Sequence, residues 1–297
     1  MKKAILALLS GTLLLSVTSP AQAEDQRVLA IIDTAIDSSK HPSVIGEACF
    51  TSAPITSCPN GKTFMEGKGS ASSAWPVSIN SNTYHGDSMV KAALASNPNL
   101  KIVFVRIADV DRVGNNFIQA PSLISAIKWV ADNSEKYSID AVSLSLSGLN
   151  PANCSNQTTI TSVASLGLKN IPTFAATGND ASKTAVGFPA CVPGVIGVGA
   201  LSSLESKILE TATNRGPGLD VVSNGSINIT KYNGSPTTLS GSSGANVVTA
   251  STYIKNVNSK KFQEYLDSLP KIVVTQMDRV TKKIDPTFNL TVMYSSN

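Results

Sequence analysis

Four kinds of side chain in this sequence could together break an acyl bond: a carboxylate at Asp33, an imidazole at His85, a carboxamide at Asn179 and a hydroxyl among Ser240, Ser242 and Ser243. Hydrolysis of an amide or ester by this route needs a hydroxyl nucleophile and an imidazole that takes its proton and later returns it. It also needs a carboxylate that fixes the imidazole tautomer, and donors for the oxyanion. The imidazole is the scarcest part, because the sequence holds only His41 and His85. His41 precedes Pro42 in a polar stretch and reads as an ordinary exposed side chain, which leaves His85 as the base. Asp33 directly follows the apolar run VLAII, with Asp37 as the nearby alternative; a lone acid after a strand is also a common turn or cap residue. The three serines share one glycine-rich run, so residue type alone does not choose among them. Asn179 lies in Gly-Asn-Asp, a sequence that also suits a simple turn.

Other chemistries fit less well. Gly86-Asp87-Ser88 spells the motif of GDS-type esterases, but no apolar strand precedes it and no histidine lies near the C-terminus to serve as that chemistry's base. No G-x-S-x-G elbow is followed by a later histidine, which excludes an ordinary α/β-hydrolase. A zinc site is a poor match, since no cysteine pair has C-x-x-C spacing. The run DVDRVGNN at 109–116 has a faint likeness to a calcium loop and reads better as a polar turn. No metal and no cofactor are expected.

The elements that would position these groups alternate. Strand VLAII (28–32) is followed by a long polar stretch, helix HGDSMVKAALAS (85–96) and strand KIVFVRI (101–107). Helix PSLISAIKWVADN (121–133), strand IDAVSLSLS (139–147), a helix over 158–168 and strands IPTFAAT (171–177) and GVIGVGA (194–200) come next. Continuous apolar strands indicate a parallel sheet buried on both faces, and the alternation indicates a doubly wound α/β fold, a mostly parallel sheet flanked by helices. In such sheets functional side chains gather past the carboxyl ends of the strands. Asp33 and Asn179 meet that condition, while His85 and Ser243 open helical stretches. Residues 38–83 lack periodicity and read as surface loops with short strands, and a helix is expected at KKFQEYLDSL with β-prone runs after it.

The chain opens with Lys2 and Lys3, an apolar stretch over 4–17, and small residues at Ala21 and Ala23, the pattern of a secretory signal peptide (residues 1–23) cut after Ala23. Residues 24–297 then form a single domain, exported to the periplasm or the exterior. No later stretch approaches the roughly 20 apolar residues of a membrane span, so no membrane partner is expected after the leader is removed. Loss of Lys2 and Lys3 from 24 basic residues leaves 22 against 20 acidic ones, a net charge of +2. So small a charge gives no sign of a nucleic-acid partner. In an exported chain the four cysteines favour disulfides. Of three possible pairings, Cys49–Cys58 closes a Pro/Ser-rich loop, and Cys154 and Cys191 each follow a core strand.

The spans IIDTAID, YHGDSMV, VSLSLSG, FAATGND, VGFPACVPGVIGVGA and SGSSGA occur in the order of the sequence blocks of subtilisin-like serine proteases, which the chain resembles over nearly its whole mature length. Asp33 and Thr34 match the family's D-[ST]-G, with Ala35 replacing glycine. His85 and Gly86 match H-G-T-H, with Asp87 and Ser88 where Thr and a second His are usual. Ala175, Ala176, Gly178 and Asn179 match A-A-x-G-N; Gly241, Ser242, Ser243, Gly244 and Ala245 stand for G-T-S-M-A, with Ser242 for Thr and Gly244 for Met.

The resemblance implies a serine endopeptidase with Ser243 as nucleophile, His85 as base, Asp33 orienting it and Asn179 donating to the oxyanion. It further implies an extended polypeptide substrate paired with two edge segments, Asn115–Asn116–Phe117 and Ser145–Leu146–Ser147–Gly148. The first specificity pocket would be walled by Ala175, Ala176 and Gly178 and by the segment around Gly187, Phe188 and Pro189. These residues carry no charge, which suits an uncharged, apolar side chain before the cut. About nine residues separate Ala23 from Asp33, too few for the inhibitory propeptide usual in secreted members. The rival from another class is a catalytically impaired scaffold acting as a binding protein, suggested by the altered residues after His85 and Ser243.

Overall fold

The computed structural model describes residues 26–294 apart from 53–56, 74–84, 111–115, 149, 204, 206, 232, 258–260, 277–282 and 284–289. The expected signal peptide (1–23), Asn115 and most of the run DVDRVGNN (109–116) therefore lie outside the described residues. The chain begins with strands β1 (Val28–Asp33), β2 (Val44–Phe50) and β3 (Phe64–Glu66), helix α1 (His85–Ser96) and strand β4 (Lys101–Arg106). A short pair, β5 (Ala108–Val110) and β6 (Asn116–Ile118), leads to α2 (Ala120–Asn133), β7 (Ile139–Leu144), α3 (Gln157–Leu168), β8 (Thr173–Ala176) and β9 (Val195–Ser203). After β10 (Ile208–Leu209) and β11 (Val221–Asn224) come the hairpin β12 (Ile227–Thr230) and β13 (Pro236–Leu239) and helix α4 (Ser242–Asn256). The chain closes with α5 (Phe262–Ser268), β14 (Lys271–Gln276) and β15 (Leu290–Tyr294).

Among the described residues an eleven-stranded sheet runs β10-β14-β15-β11-β9-β8-β7-β1-β4-β2-β3. The stretch from β11 to β2 is parallel throughout, and β3 closes one edge antiparallel. Strand β1 shows why the sequence demands two covered faces. Val28, Ala30 and Ile32 enter one core with α2 and α3, while Leu29 and Ile31 enter another with α1 and α4. Burying each Leu or Ile contributes about 1.5–3 kcal/mol, and all of β1 is buried. Strand order reverses around β1, which has β4 on one side and β7 on the other. The crevice past its carboxyl end is where such sheets place ligands, and Asp33 is its last residue.

Three departures from the expected elements have physical causes. Strand β7 ends at Leu144, so Ser145–Ser147 leave the ladder, and the Ser145 carbonyl instead accepts the Ser243 hydroxyl. Residues 44–50, within the stretch read from sequence as surface loops with short strands, form β2, a seven-residue strand paired on both sides. Gly46 and Glu47 break its apolar run. A Cβ at Gly46 would come within 2.6 Å of the Tyr137 ring, and the buried Glu47 carboxylate accepts the N–H groups of Gly69 and Ala71 at 3.0 and 3.1 Å. His41, expected to be exposed, is only 4% exposed and pairs with Asp87; its partner lies 46 residues away, beyond the reach of any local pattern.

Candidate active site

Asp33, His85, Asn179 and Ser243 are carried to the crevice by the end of β1, the first residue of α1, the loop after β8 and the first turn of α4. Asp33 is fully buried; its Oδ1 accepts the Thr34 backbone N–H at 2.7 Å and faces His85 Nδ1 at 2.8 Å. An ionised carboxylate can only accept, so the imidazole proton sits on Nδ1 and Nε2 keeps its lone pair. Burial pulls the His85 pKa down, but the Asp33 charge and hydrogen bond outweigh it and leave the imidazole above its ordinary 6.5. The Gly86 N–H, one of the free donors at the start of α1, is taken by Thr34 Oγ1 at 2.8 Å. Gly86 has to be glycine: a Cβ there would come within 2.5 Å of Phe104 and 3.0 Å of the Ala35 carbonyl.

The nucleophile turn is equally constrained. Gly241 precedes α4 at φ 90°, a region that favours glycine, and a Cβ on it would lie 3.0 Å from the Asn179 carboxamide. Asn179 Oδ1 accepts the Ser242 backbone N–H at 3.0 Å and the Ser242 hydroxyl at 3.1 Å. Because a backbone N–H can only donate, the carboxamide must present oxygen there, and this turns its NH₂ away. Ser242 Oγ also accepts the Gly178 N–H at 3.2 Å. Ser242 Oγ thus ties the loop after β8 to α4. Asn214 holds the same loop by accepting from the N–H groups of Asp180 and Ser182 and donating to the Thr177 carbonyl.

Ser243 Oγ donates to the Ser145 carbonyl at 2.8 Å, and Ser145 Oγ donates back to the Ser243 carbonyl at 3.0 Å. Among the described hydrogen bonds none joins Ser243 to His85. The Ser243 hydroxyl must therefore leave the Ser145 carbonyl before its proton can pass to His85. Asn246, one helical turn beyond Ser243, is fully buried and donates to the hydroxyls of Ser143 and Ser145 at 3.0 and 3.2 Å. Asn246 and Asn214 were not among the residues expected from the sequence; an asparagine at i+3 from the serine was the one available signal.

Three of the expected substrate-binding and pocket segments are hydrogen-bonded to one another. Gly148 and Phe188 exchange N–H···O bonds of 3.0 and 2.7 Å, and the Gly187 N–H donates to the Thr177 carbonyl at 2.9 Å, joining the 145–148, 175–178 and 187–189 segments. Ser147 Oγ fills the space between two walls, 2.8 Å from where a Cβ would stand on Gly178 and 2.1 Å from one on Gly187. Asn116 and Phe117 lie in β6, paired with β5. Cys154 is bonded to Cys191 and Cys49 to Cys58. Asp37, the alternative acid, accepts the Ser39 N–H and caps a short turn. Among the described residues no group of three or more His, Cys, Asp or Glu is arranged to hold a metal.

Comparison with solved structures gives the same fold at low identity. Proteases from Pseudoalteromonas arctica PAMC 21717 superpose with a TM-score of 0.66 at 16% identity, covering 87% of each chain. A cold adapted subtilisin-like serine proteinase gives 0.59 at 19%, covering 91% of this chain and 89% of that one. The prenylagaramide maturation protease PagA gives 0.50 at 19%, covering 77% and 74%. No curated protein sequence matches the chain. The model of the Subtilase family matches residues 24–263, from before β1 into α5 and through all four candidate residues, so the chain belongs to the subtilase family.

Proposed function

We propose that this chain is an exported serine endopeptidase that cuts extended polypeptide through Ser243, His85 and Asp33, with Asn179 stabilising the oxyanion. The observation that carries the reading is the Asp33–His85 hydrogen bond, with Asp33 fully buried and His85 partly exposed, which leaves Nε2 basic, at the same sheet edge as the first turn of α4. Ser243 Oγ attacks the scissile carbonyl carbon as its proton passes to His85 Nε2. The oxyanion accepts from Asn179 Nδ2 and from the Ser243 backbone N–H, which has no intrahelical acceptor at its position. His85 returns the proton to the leaving amine, and water repeats the sequence on the acyl-enzyme. An extended substrate supplies a backbone N–H that competes for the Ser145 carbonyl and frees the Ser243 hydroxyl to turn toward His85. Pairing through the main chain calls for an unfolded segment, and the uncharged walls narrowed by Ser147 suit an uncharged side chain of limited size before the cut. Export rests on the basic and apolar start of the sequence and on two disulfides.

The test is turnover of an unfolded protein substrate. Ser243→Ala and His85→Ala should each lower it by about 10⁴–10⁶-fold, and Asn179→Ala by about 10²–10³-fold, with the fold retained. Full activity in Ser243→Ala would end the assignment. The Ser243–Ser145 hydrogen bond favours a second reading, a scaffold that binds peptide without cutting it; that reading predicts saturable peptide binding and intact peptide after long incubation.

A further inference from the structure

We propose that His41 and Asp87 form a buried clamp that sets the position of His85 against Asp33, making His41 a positioning residue. The inference rests on the proposed reading of the site. Three consecutive residues in the first turn of α1 are fastened to the segment that leaves β1. His85 bonds Asp33 at 2.8 Å, the Gly86 N–H bonds Thr34 Oγ1 at 2.8 Å, and Asp87 Oδ1 meets His41 Nε2 at 2.5 Å. The first contact borders solvent, with His85 24% exposed. The third is closed off, with His41 at 4% and Asp87 at 0%.

Both ends of this third contact are themselves fixed. The His41 N–H donates to the Ser38 carbonyl at 3.1 Å, and its carbonyl accepts the Val44 N–H at 3.0 Å. His41 is thereby anchored between the turn capped by Asp37 and the start of β2. Asp87 sits in the first turn of α1, where a carboxylate is favoured by the helix dipole. Its Oδ2 lies 2.7 Å from Lys91 Nζ, one turn along the same helix. Burial pushes the Asp87 carboxyl up, but His41 and Lys91 outweigh it and hold the group below the ordinary carboxylate range.

Lys91 can neutralise Asp87 but cannot anchor it, because both stand on α1. Among the described residues, His41 supplies the one side-chain bond from Asp87 to another element. What His41 adds is direction: it stops α1 from sliding along β1. His85 is two residues from Asp87, so slippage there is transmitted to the Nδ1–Asp33 bond, and a misplacement of about 1 Å near a reacting group can cost about 10²-fold in rate.

The experiment compares wild type with His41→Ala, His41→Asn and His41→Gln in the full chain. A glutamine amide has about the reach of imidazole Nε2, whereas an asparagine amide is shorter by about one C–C bond, roughly 1.5 Å. Two quantities are read well below each variant's Tm: kcat and KM on a peptide substrate, and the low-field proton resonance of His85 Nδ1–H recorded with the imidazole protonated. His41→Ala and His41→Asn should lower kcat by about 10- to 100-fold with KM within about twofold, and should broaden or abolish the resonance. His41→Gln should keep most of both. Wild-type kcat and resonance in His41→Asn would overturn the clamp, as would losses in Tm alone; His41→Asn also decides the matter if His41→Ala does not fold. A wild-type chain with no turnover would refute the proposed activity while the resonance still reports on the clamp.

Discussion

His85 is pulled two ways: burial disfavours its charged form, while the Asp33 carboxylate and its hydrogen bond favour that form more strongly, raising its pKa above 6.5. The base must be neutral to accept the Ser243 proton, so kcat/KM should rise with pH through one ionisation above 6.5. Asp33→Asn removes the charge and the tautomer preference together. It should move that limb toward lower pH and cost about 10⁴-fold in turnover. Activity highest near pH 4 would point to carboxylate chemistry instead. At this scale the four candidate residues could be named from the sequence because each sits in an ordered block. His41 was not, since a single histidine in a polar loop gives no periodic signal and its partner, Asp87, lies on α1. Asn246 escaped for a related reason: its role depends on Ser143 and Ser145, whose hydroxyls reach it only after β7 and α4 pack.

The helices and strands read well wherever apolar periodicity is unbroken, as in α1, found over the expected residues 85–96. The pattern did not mark the bounds of β2 within the stretch read as loops with short strands, because Gly46 and Glu47 are explained by Tyr137 and by the loop at 69–71. Helix α4 raises a similar point about polar support. Glu210, just past β10, accepts the Gly241 N–H at 3.3 Å and so holds the turn ahead of Ser243. Burial raises its pKa above 4.5, more than the Gly241 bond lowers it. A carboxyl raised in the folded state favours folding when protonated, below its unfolded pKa, and loses that contribution as pH rises through the folded value. Glu210→Gln keeps an acceptor without the charge. Its Tm at pH 7 should rise by about 1–3 °C, and the gain should vanish near pH 4. A fall in Tm at pH 7 would show that the charge itself supports the turn.

Among the described residues, two hydrophobic cores lie on opposite faces of one sheet, strand order reverses at β1, and the candidate residues lie at its carboxyl edge. That plan was legible because continuous apolar strands and intervening helices permit few other topologies. Its persistence in solved proteases at 16–19% identity shows how little sequence it requires. The contacts of Ser243 were not legible, because a hydroxyl rotamer depends on which acceptors the packed chain brings near it, here the Ser145 carbonyl. Whether that hydroxyl can be activated is the central question, and a fluorophosphonate probe addresses it without knowledge of the natural substrate. Intact-mass analysis of the folded chain should show one adduct, mapped to Ser243, absent in Ser243→Ala and strongly slowed in His85→Ala. A folded chain that takes no adduct, or takes it equally at other serines, would contradict the assignment of Ser243 as an activated nucleophile.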